Sequence, residues 1–128
     1  MKSLRMFLAA AFCGASAFAA PGFMASAWAH AILDHAVPSV GSTSPGAPGE
    51  LTLSFSEKIV PAFSGASLNS AAGAAIPTGK ARVDPSDPAT LHVPLGRKLA
   101  PGAYVVHWHA VSADTHHTSG SYKFTVAP

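Results

Sequence analysis

The stretch Leu51-Thr52-Leu53-Ser54-Phe55 alternates apolar and small polar side chains with a period of two. Successive side chains of a β-strand point to opposite faces, so this pattern predicts a strand with one buried face. The same alternation recurs in three later segments, whose apolar members are Leu91 and Val93; Tyr104, Val106 and Trp108; and Tyr122, Phe124 and Val126. Four such segments predict a fold built from β-strands.

Turn-forming residues separate these segments and leave no room for a long helix. Proline recurs along the chain, and turn signals lie at 41–49, 72–73, 84–88 and 101–102. We therefore expect an all-β domain, built as an antiparallel sandwich or a small Greek-key barrel. Residues 64–83 are weakly patterned, and we expect them to form a strand-rich loop.

The first 29 residues have the features of a signal peptide. Lys2 and Arg5 give a charged start, residues 6–20 form an apolar run, and Ala27-Trp28-Ala29 is a small-x-small cleavage site. Ala25-Ser26-Ala27 is a rival cleavage site two residues earlier. An uncleaved membrane anchor is a further alternative, although the apolar run is short for a span of about 20 residues.

Cleavage after Ala29 leaves a single exported domain, residues 30–128. The eight basic residues of the chain include Lys2 and Arg5, so this domain carries six basic and six acidic side chains. That balance excludes most electrostatic binding to nucleic acid, which needs clustered Lys and Arg. All three Met and the one Cys lie in the leader, whereas all seven His lie in the domain. A sulfur-free, His-rich domain favours a metal held by nitrogen and oxygen.

The first candidate site is Asp114-Thr115-His116. In an extended segment, residues two apart point to the same side, so Asp114 and His116 are predicted to converge on one ion while His117 points away. The alternative is that these are surface residues near a turn. The domain has no G-x-S-x-G elbow and no Gly-rich phosphate loop, so nucleophilic catalysis has little support, and we expect a metal-binding protein that is not an enzyme.

The second candidate is the new N-terminus. After cleavage, His30 carries a free α-amine next to its own imidazole, and the two groups can chelate one metal ion. With Asp114 and His116 they make a set of three nitrogens and one oxygen, which suits tetragonal Cu(II) and not Cu(I). The alternative is that a His follows the cleavage site by chance.

Four further histidines are less readily assigned. His107 and His109 lie two apart on the strand face opposite Tyr104, Val106 and Trp108. We interpret them as solvated residues of the outer face, with a second metal pair or a flank of the first site as alternatives. His92 has the same interpretation, and the role of His35, on the side of Leu33 if its strand is regular, is open.

Several segments together resemble the CopC family of periplasmic copper-resistance proteins, and the resemblance covers essentially all of residues 30–128. The matching segments are His30-Ala31-Ile32-Leu33, Pro38, Gly41, Phe55-Ser56-Glu57, Pro61-Ala62-Phe63-Ser64, Tyr104-x-Val-x-Trp108, Val111-Ser112-x-Asp114-x-His116 and Gly120-x-Tyr-x-Phe124.

This resemblance implies a Greek-key β-barrel of cupredoxin-like or immunoglobulin-like shape. It also implies one Cu(II) ion bound by His30, Asp114 and His116, with Glu57 at most a residue behind the ligands. The Met-rich Cu(I) site of some family members should be absent, because residues 30–128 contain no Met. The implied role is copper resistance by sequestration or delivery, with a CopD-type inner-membrane protein as partner, and we expect a monomer.

Two other functions are consistent with parts of the pattern. The N-terminal His chelate resembles the histidine brace of copper monooxygenases, but the anionic Asp114 disfavours cycling to Cu(I). A metal-free immunoglobulin-like interaction module would leave the N-terminal His and the Asp-x-His segment unexplained.

Overall fold

A computed structural model describes residues 31–128, so the predicted signal peptide and the predicted ligand His30 lie outside the described residues. In chain order the strands are β1 (Leu33–Val37), β2 (Thr43–Ser44), β3 (Glu50–Phe55), β4 (Gly65–Ser70), β5 (Ala75–Ile76), β6 (Arg82–Asp84), β7 (Asp87–Pro94), β8 (Gly102–Val111) and β9 (His117–Val126). One turn of 3₁₀ helix, Pro61–Phe63, lies between β3 and β4.

The strands form two sheets that share one hydrophobic core. One sheet has the order β1-β3-β7-β6, and the other has the order β2-β9-β8-β4-β5. The predicted all-β sandwich is confirmed. It contains one parallel pairing, between the two-residue β2 and the longer β9. A strand of two residues is too short to produce a recognisable sequence pattern. Within residues 31–128, no helix has the length and apolar character needed to cross a membrane.

The predicted apolar rows form the core. All of their members are buried except Trp108, which is partly buried and packs edge-on against Phe55 with ring centroids 5.3 Å apart. Trp108 also covers Gly120 on β9, where an added Cβ would lie 2.7 Å from the indole ring. Each fully buried large apolar side chain stabilises the fold by about 1.5–3 kcal/mol, so these rows account for the sandwich.

The expectation that residues 64–83 form a strand-rich loop is right about the strands, but the segment is more regular than a loop. It contains β4 and β5 and the start of β6, and all six residues of β4 pair with β8. The inward positions of β4 include the small Ala66 and Ser70, opposite Trp108 and Tyr104, so the apolar alternation is weak. Pairing with β8 therefore defines β4 more than its own pattern does.

His92 lies on the outer face of β7, as predicted, but its side chain is not solvated, since it is only 16% exposed. Its Nδ1 is 3.0 Å from Glu50 Oε1 on β3, and its Nε2 is 2.8 Å from Asp84 Oδ2 on β6. Both contacts are hydrogen bonds only when both ring nitrogens carry a proton. His92 therefore lies between carboxylates of the two strands that flank β7 and links three neighbouring strands.

Asp84 should make the fold sensitive to acid. Hydrogen bonds from the Ser86 hydroxyl, His92 and the Ser86 amide hold the pKa of Asp84 well below its usual range. A carboxyl with a lowered pKa stabilises the fold above its ordinary pKa, and that stability is lost as the pH falls towards the folded value. Asp84→Asn should therefore lower the thermal midpoint at pH 7, and the difference from the parent should shrink below about pH 4.

The matched control is Asp34→Asn, at an exposed position of β1. Thermal melts by circular dichroism between pH 2 and 7 provide the measurement. A constant difference between Asp84→Asn and the parent across this range would contradict the assignment.

Candidate metal centre

The connection from β8 to β9 is a tight turn over residues 112–116. Ser112 is fully buried, and its amide donates to the His116 carbonyl at 3.0 Å. The Thr115 amide donates to the Ser112 carbonyl at 2.9 Å, and Thr115 has φ = 73°. A positive φ is uncommon for a residue other than glycine, so the two closing hydrogen bonds hold Thr115 in this conformation.

This turn brings together the predicted ligands Asp114 and His116. Asp114 Oδ2 lies 2.9 Å from His116 Nδ1, and the two side chains are 38% and 50% exposed. The predicted proximity is found, but the predicted reason is wrong, because the segment turns instead of extending. His117 is the first residue of β9 and pairs with Val111.

The spacing of these two atoms is that of a hydrogen bond, and it also matches the separation of two ligands on one metal ion. Two ligands that bind a metal at about 2 Å and at right angles to one another are roughly 2.8 Å apart, close to the Oδ2–Nδ1 distance. Loss of the proton between Asp114 and His116 would leave both atoms available as donors.

Ser112 orients the carboxylate from beneath. Its hydroxyl donates to Asp114 Oδ1, leaving Oδ2 towards His116. The Ser112 hydroxyl, and after it the His116 imidazole, hold the pKa of Asp114 below its usual range. The Asp114 carboxylate is therefore anionic at neutral pH. The importance of Ser112 was missed in the sequence, although it lies two residues before Asp114.

Hydrogen bonds hold the first described residues beside this turn. Ala31 is 1% exposed, and its carbonyl accepts a hydrogen bond of 2.8 Å from Thr118 Oγ1 on β9. The next residue, Ile32, donates to Ser56 Oγ at 2.9 Å and accepts from the Ser56 amide at 2.8 Å. The first described residues are thus held between β9 and the end of β3.

Glu57, Lys58 and Asp114 line the same open cleft. The Ala113 amide donates to the Lys58 carbonyl at 3.0 Å, which ties the turn to this segment. Across residues 31–128, no three His, Cys, Asp or Glu side chains are grouped closely enough to hold a metal ion. Asp114 and His116 would therefore need further donors to hold a metal ion.

The other predicted outer-face histidines are exposed. His107 and His109 lie on the outward face of β8, as predicted. His35 is exposed on β1, whose pairing with β3 shifts register between Leu33 and His35, so the assumption of a regular strand fails there.

Comparison with known proteins gives consistent matches over this domain. The family model described as CopC domain matches residues 33–127. Protein YobA of Escherichia coli (strain K12) is 43% identical over 101 residues, which are 79% of this chain and 82% of that protein. Copper resistance protein C of Xanthomonas campestris pv. juglandis is 36% identical over 126 residues, covering 94% of this chain and 91% of that protein.

Solved structures and a longer relative agree with these matches. The crystal structure of CopC from Methylosinus trichosporium OB3b has a TM-score of 0.72 at 32% identity, covering 77% of this chain and 95% of that chain. The copper transport protein CutJ of Bacillus subtilis (strain 168) is 27% identical over 101 residues, which are 79% of this chain but 19% of that protein. Because the family model spans almost the whole sandwich and two full-length relatives share more than a third of their aligned residues with it, the chain belongs to the CopC family.

Proposed function

We propose that residues 1–29 are removed on export to the periplasm and that the processed protein binds one Cu(II) ion tightly. His30, Asp114 and His116 provide the ligands. The protein serves copper resistance by sequestering this ion or delivering it to a membrane copper transporter. Copper is thus its cargo, and the protein performs no reaction on it.

The main support for this proposal is the hydrogen bond that holds Ala31 against β9. Ala31 directly follows His30 in sequence, and its carbonyl accepts from Thr118, two residues after His116. Consecutive Cα atoms are about 3.8 Å apart, which supports a ligand at position 30 beside the Asp114–His116 pair.

The donor chemistry favours Cu(II). The α-amine and imidazole of an N-terminal His30, together with Asp114 and His116, supply three nitrogens and one oxygen. This set suits the tetragonal geometry of Cu(II), which also has the highest affinity among the divalent first-row metals. Residues 30–128 contain neither Met nor Cys, the soft ligands that select Cu(I).

A carrier role is favoured over an oxidase. The lowered pKa of Asp114 keeps its carboxylate charged, and an anionic ligand stabilises Cu(II) against reduction. An oxygen-activating copper enzyme must pass through Cu(I), which this ligand disfavours. The names of the copper resistance protein C relatives also point to copper handling.

The longer relative suggests the partner. In CutJ, a stretch similar to this chain makes up 19% of a protein named for copper transport. A domain joined covalently to a transporter in one protein can act on a separate transporter in another. We propose delivery to a separate membrane copper transporter on this basis, and the family resemblance implies that this is a CopD-type inner-membrane protein.

Copper titration of the protein purified from the periplasm tests the function. Intact mass should show a chain beginning at His30, and light scattering should show a monomer. One Cu(II) should bind tightly, with nitrogen hyperfine coupling in its electron paramagnetic resonance (EPR) spectrum, and Cu(I) should bind weakly. A mature chain beginning at Trp28, or Cu(I) bound more tightly than Cu(II), would contradict the proposal.

Thr118 should position the N-terminal ligand. Thr118→Val removes the donor to the Ala31 carbonyl while keeping a β-branched side chain on β9. Loss of an outer-shell partner weakens metal affinity by about 10–100-fold, so we expect about a tenfold weaker Cu(II) affinity.

Thr118→Ser keeps the hydroxyl and should restore the affinity. Thr125→Val, at the far end of β9, is the matched control. Competitive Cu(II) titration and the EPR spectrum are the measurements, because a purely structural role for Thr118 would change the melting temperature without changing the copper signal. Equal affinities for Thr118→Val and Thr125→Val would overturn this role.

A further inference from the structure

The outer face of the five-stranded sheet carries two histidines at alternate positions of β8. His107 and His109 are exposed, and Trp108 between them turns towards the core. Residues two apart on an antiparallel strand have Cα atoms roughly 6.8 Å apart and side chains on the same face. Two imidazoles at this spacing can reach one ion held above the strand.

The neighbours of this pair are small and uncharged. His107 lies between Ser67 on β4 and Ser121 on β9 in the strand register. His109 lies between Gly65 and Ser119. The His109 ring lies over Gly65, where an added Cβ would be 3.2 Å from Cε1. The directly adjacent positions therefore supply neither bulk nor charge that would keep an ion away.

Both imidazoles are also uncommitted. Among residues 31–128, neither His107 nor His109 has a hydrogen-bond or ion-pair partner. His92 and His116, in contrast, each contact carboxylates. The ring nitrogens of the exposed pair have only water to lose when they bind a cation.

We propose that His107 and His109 form a second metal site that binds one borderline divalent cation, with Cu(II) preferred over Zn(II). Imidazole nitrogen suits both metals, and the affinity order of divalent ions places Cu(II) above Zn(II). Two protein donors, with water completing the coordination, hold the ion more loosely than the four donors proposed at the β8–β9 turn. The pair is thus a site of exchange, from which copper can pass to a stronger ligand.

This site does not depend on the N-terminus, so it can be tested independently of the proposed function. The test uses the full processed chain carrying His30→Ala and His116→Ala, which removes both imidazoles of the turn site. In this background we expect one equivalent of Cu(II), and more weakly one of Zn(II), to bind in an equilibrium titration. Because loss of an outer-shell partner alone weakens metal affinity by about 10–100-fold, a further His107→Gln or His109→Gln change should weaken it by at least about tenfold.

His35→Gln, at another exposed histidine, is the matched control and should leave the affinity unchanged. Zn(II) titration followed by imidazole ¹H–¹⁵N correlation spectra should shift the rings of His107 and His109 together. Absence of binding in this background, binding that survives both Gln substitutions, or ring shifts confined to His35 or His117 would each overturn the proposal. Tight binding of the first Cu(II) by the unsubstituted protein is a separate result, and its absence would overturn only the turn site.

Discussion

Extension of the mature protein by Ser-Pro-Ser-Pro ahead of His30 should weaken its tight Cu(II) binding by about a hundredfold or more, which corresponds to roughly 2.7 kcal/mol or more. The extension converts the α-amine of His30 into an amide and so breaks the chelate that the amine and imidazole of one residue form. Prolines are chosen because they have no amide N–H that Cu(II) could displace to form a substitute chelate. Competitive Cu(II) titration measures the affinity, and EPR measures the number of nitrogen ligands.

The same four residues added after Pro128 are the matched control and should leave copper binding unchanged. The melting temperature without copper should be similar in both proteins, since additions at a free terminus bury nothing. Unchanged affinity and an unchanged nitrogen count in the N-terminal extension would exclude the terminus as a ligand. Copper would then have to be sought at His35, His107 and His109.

Substitution of either side chain at the β8–β9 turn should have a comparably large effect. Asp114→Ala and His116→Ala each remove one of the two atoms that lie 2.9 Å apart, and each should weaken Cu(II) binding by about a hundredfold. His117→Ala should change the affinity little, because His117 has already entered β9 opposite Val111.

The His116 and His117 variants form a matched pair, since they remove the same group from adjacent positions. Calorimetric titration with Cu(II) gives the affinities, and melting temperatures without copper show whether the sandwich is intact. Equal losses at positions 116 and 117 would falsify the turn geometry as the basis of the site.

The fold was predictable where the alternation of large apolar and small polar residues lies within a single strand. Leu51, Leu53 and Phe55 are large, alternate with small polar residues and are all buried in the structure. β4 was not predictable in this way, because Ala66 and Ser70 meet the aromatic side chains of β8 and leave no strong apolar period. Its position depends on a partner nearly forty residues away, and single-segment patterns do not contain that information.

The candidate site was likewise predictable only in part. The proximity of Asp114 and His116 was predictable from their spacing, but the reason for it depends on the two hydrogen bonds that close the turn around Thr115. The contacts of His92 were missed because Glu50 and Asp84 approach it from two different strands. The hydrogen bond from Thr118 to Ala31 was missed for the same reason, since its two residues come from opposite ends of the domain sequence.

This contact between β9 and the first described residues has a consequence for folding. The hydrogen bond from Thr118 to Ala31 joins residues 87 positions apart, so the two halves of the proposed copper site meet only when nearly the whole chain has closed on itself. A nascent or truncated chain cannot assemble the site, and contacts of such high order form slowly. Bound copper should then stabilise the folded protein. At a free concentration one hundred times its dissociation constant, copper would add about 2.7 kcal/mol to the free energy of unfolding. Protease resistance of the copper-loaded protein should rise accordingly at the N-terminal segment and at the β8–β9 turn together.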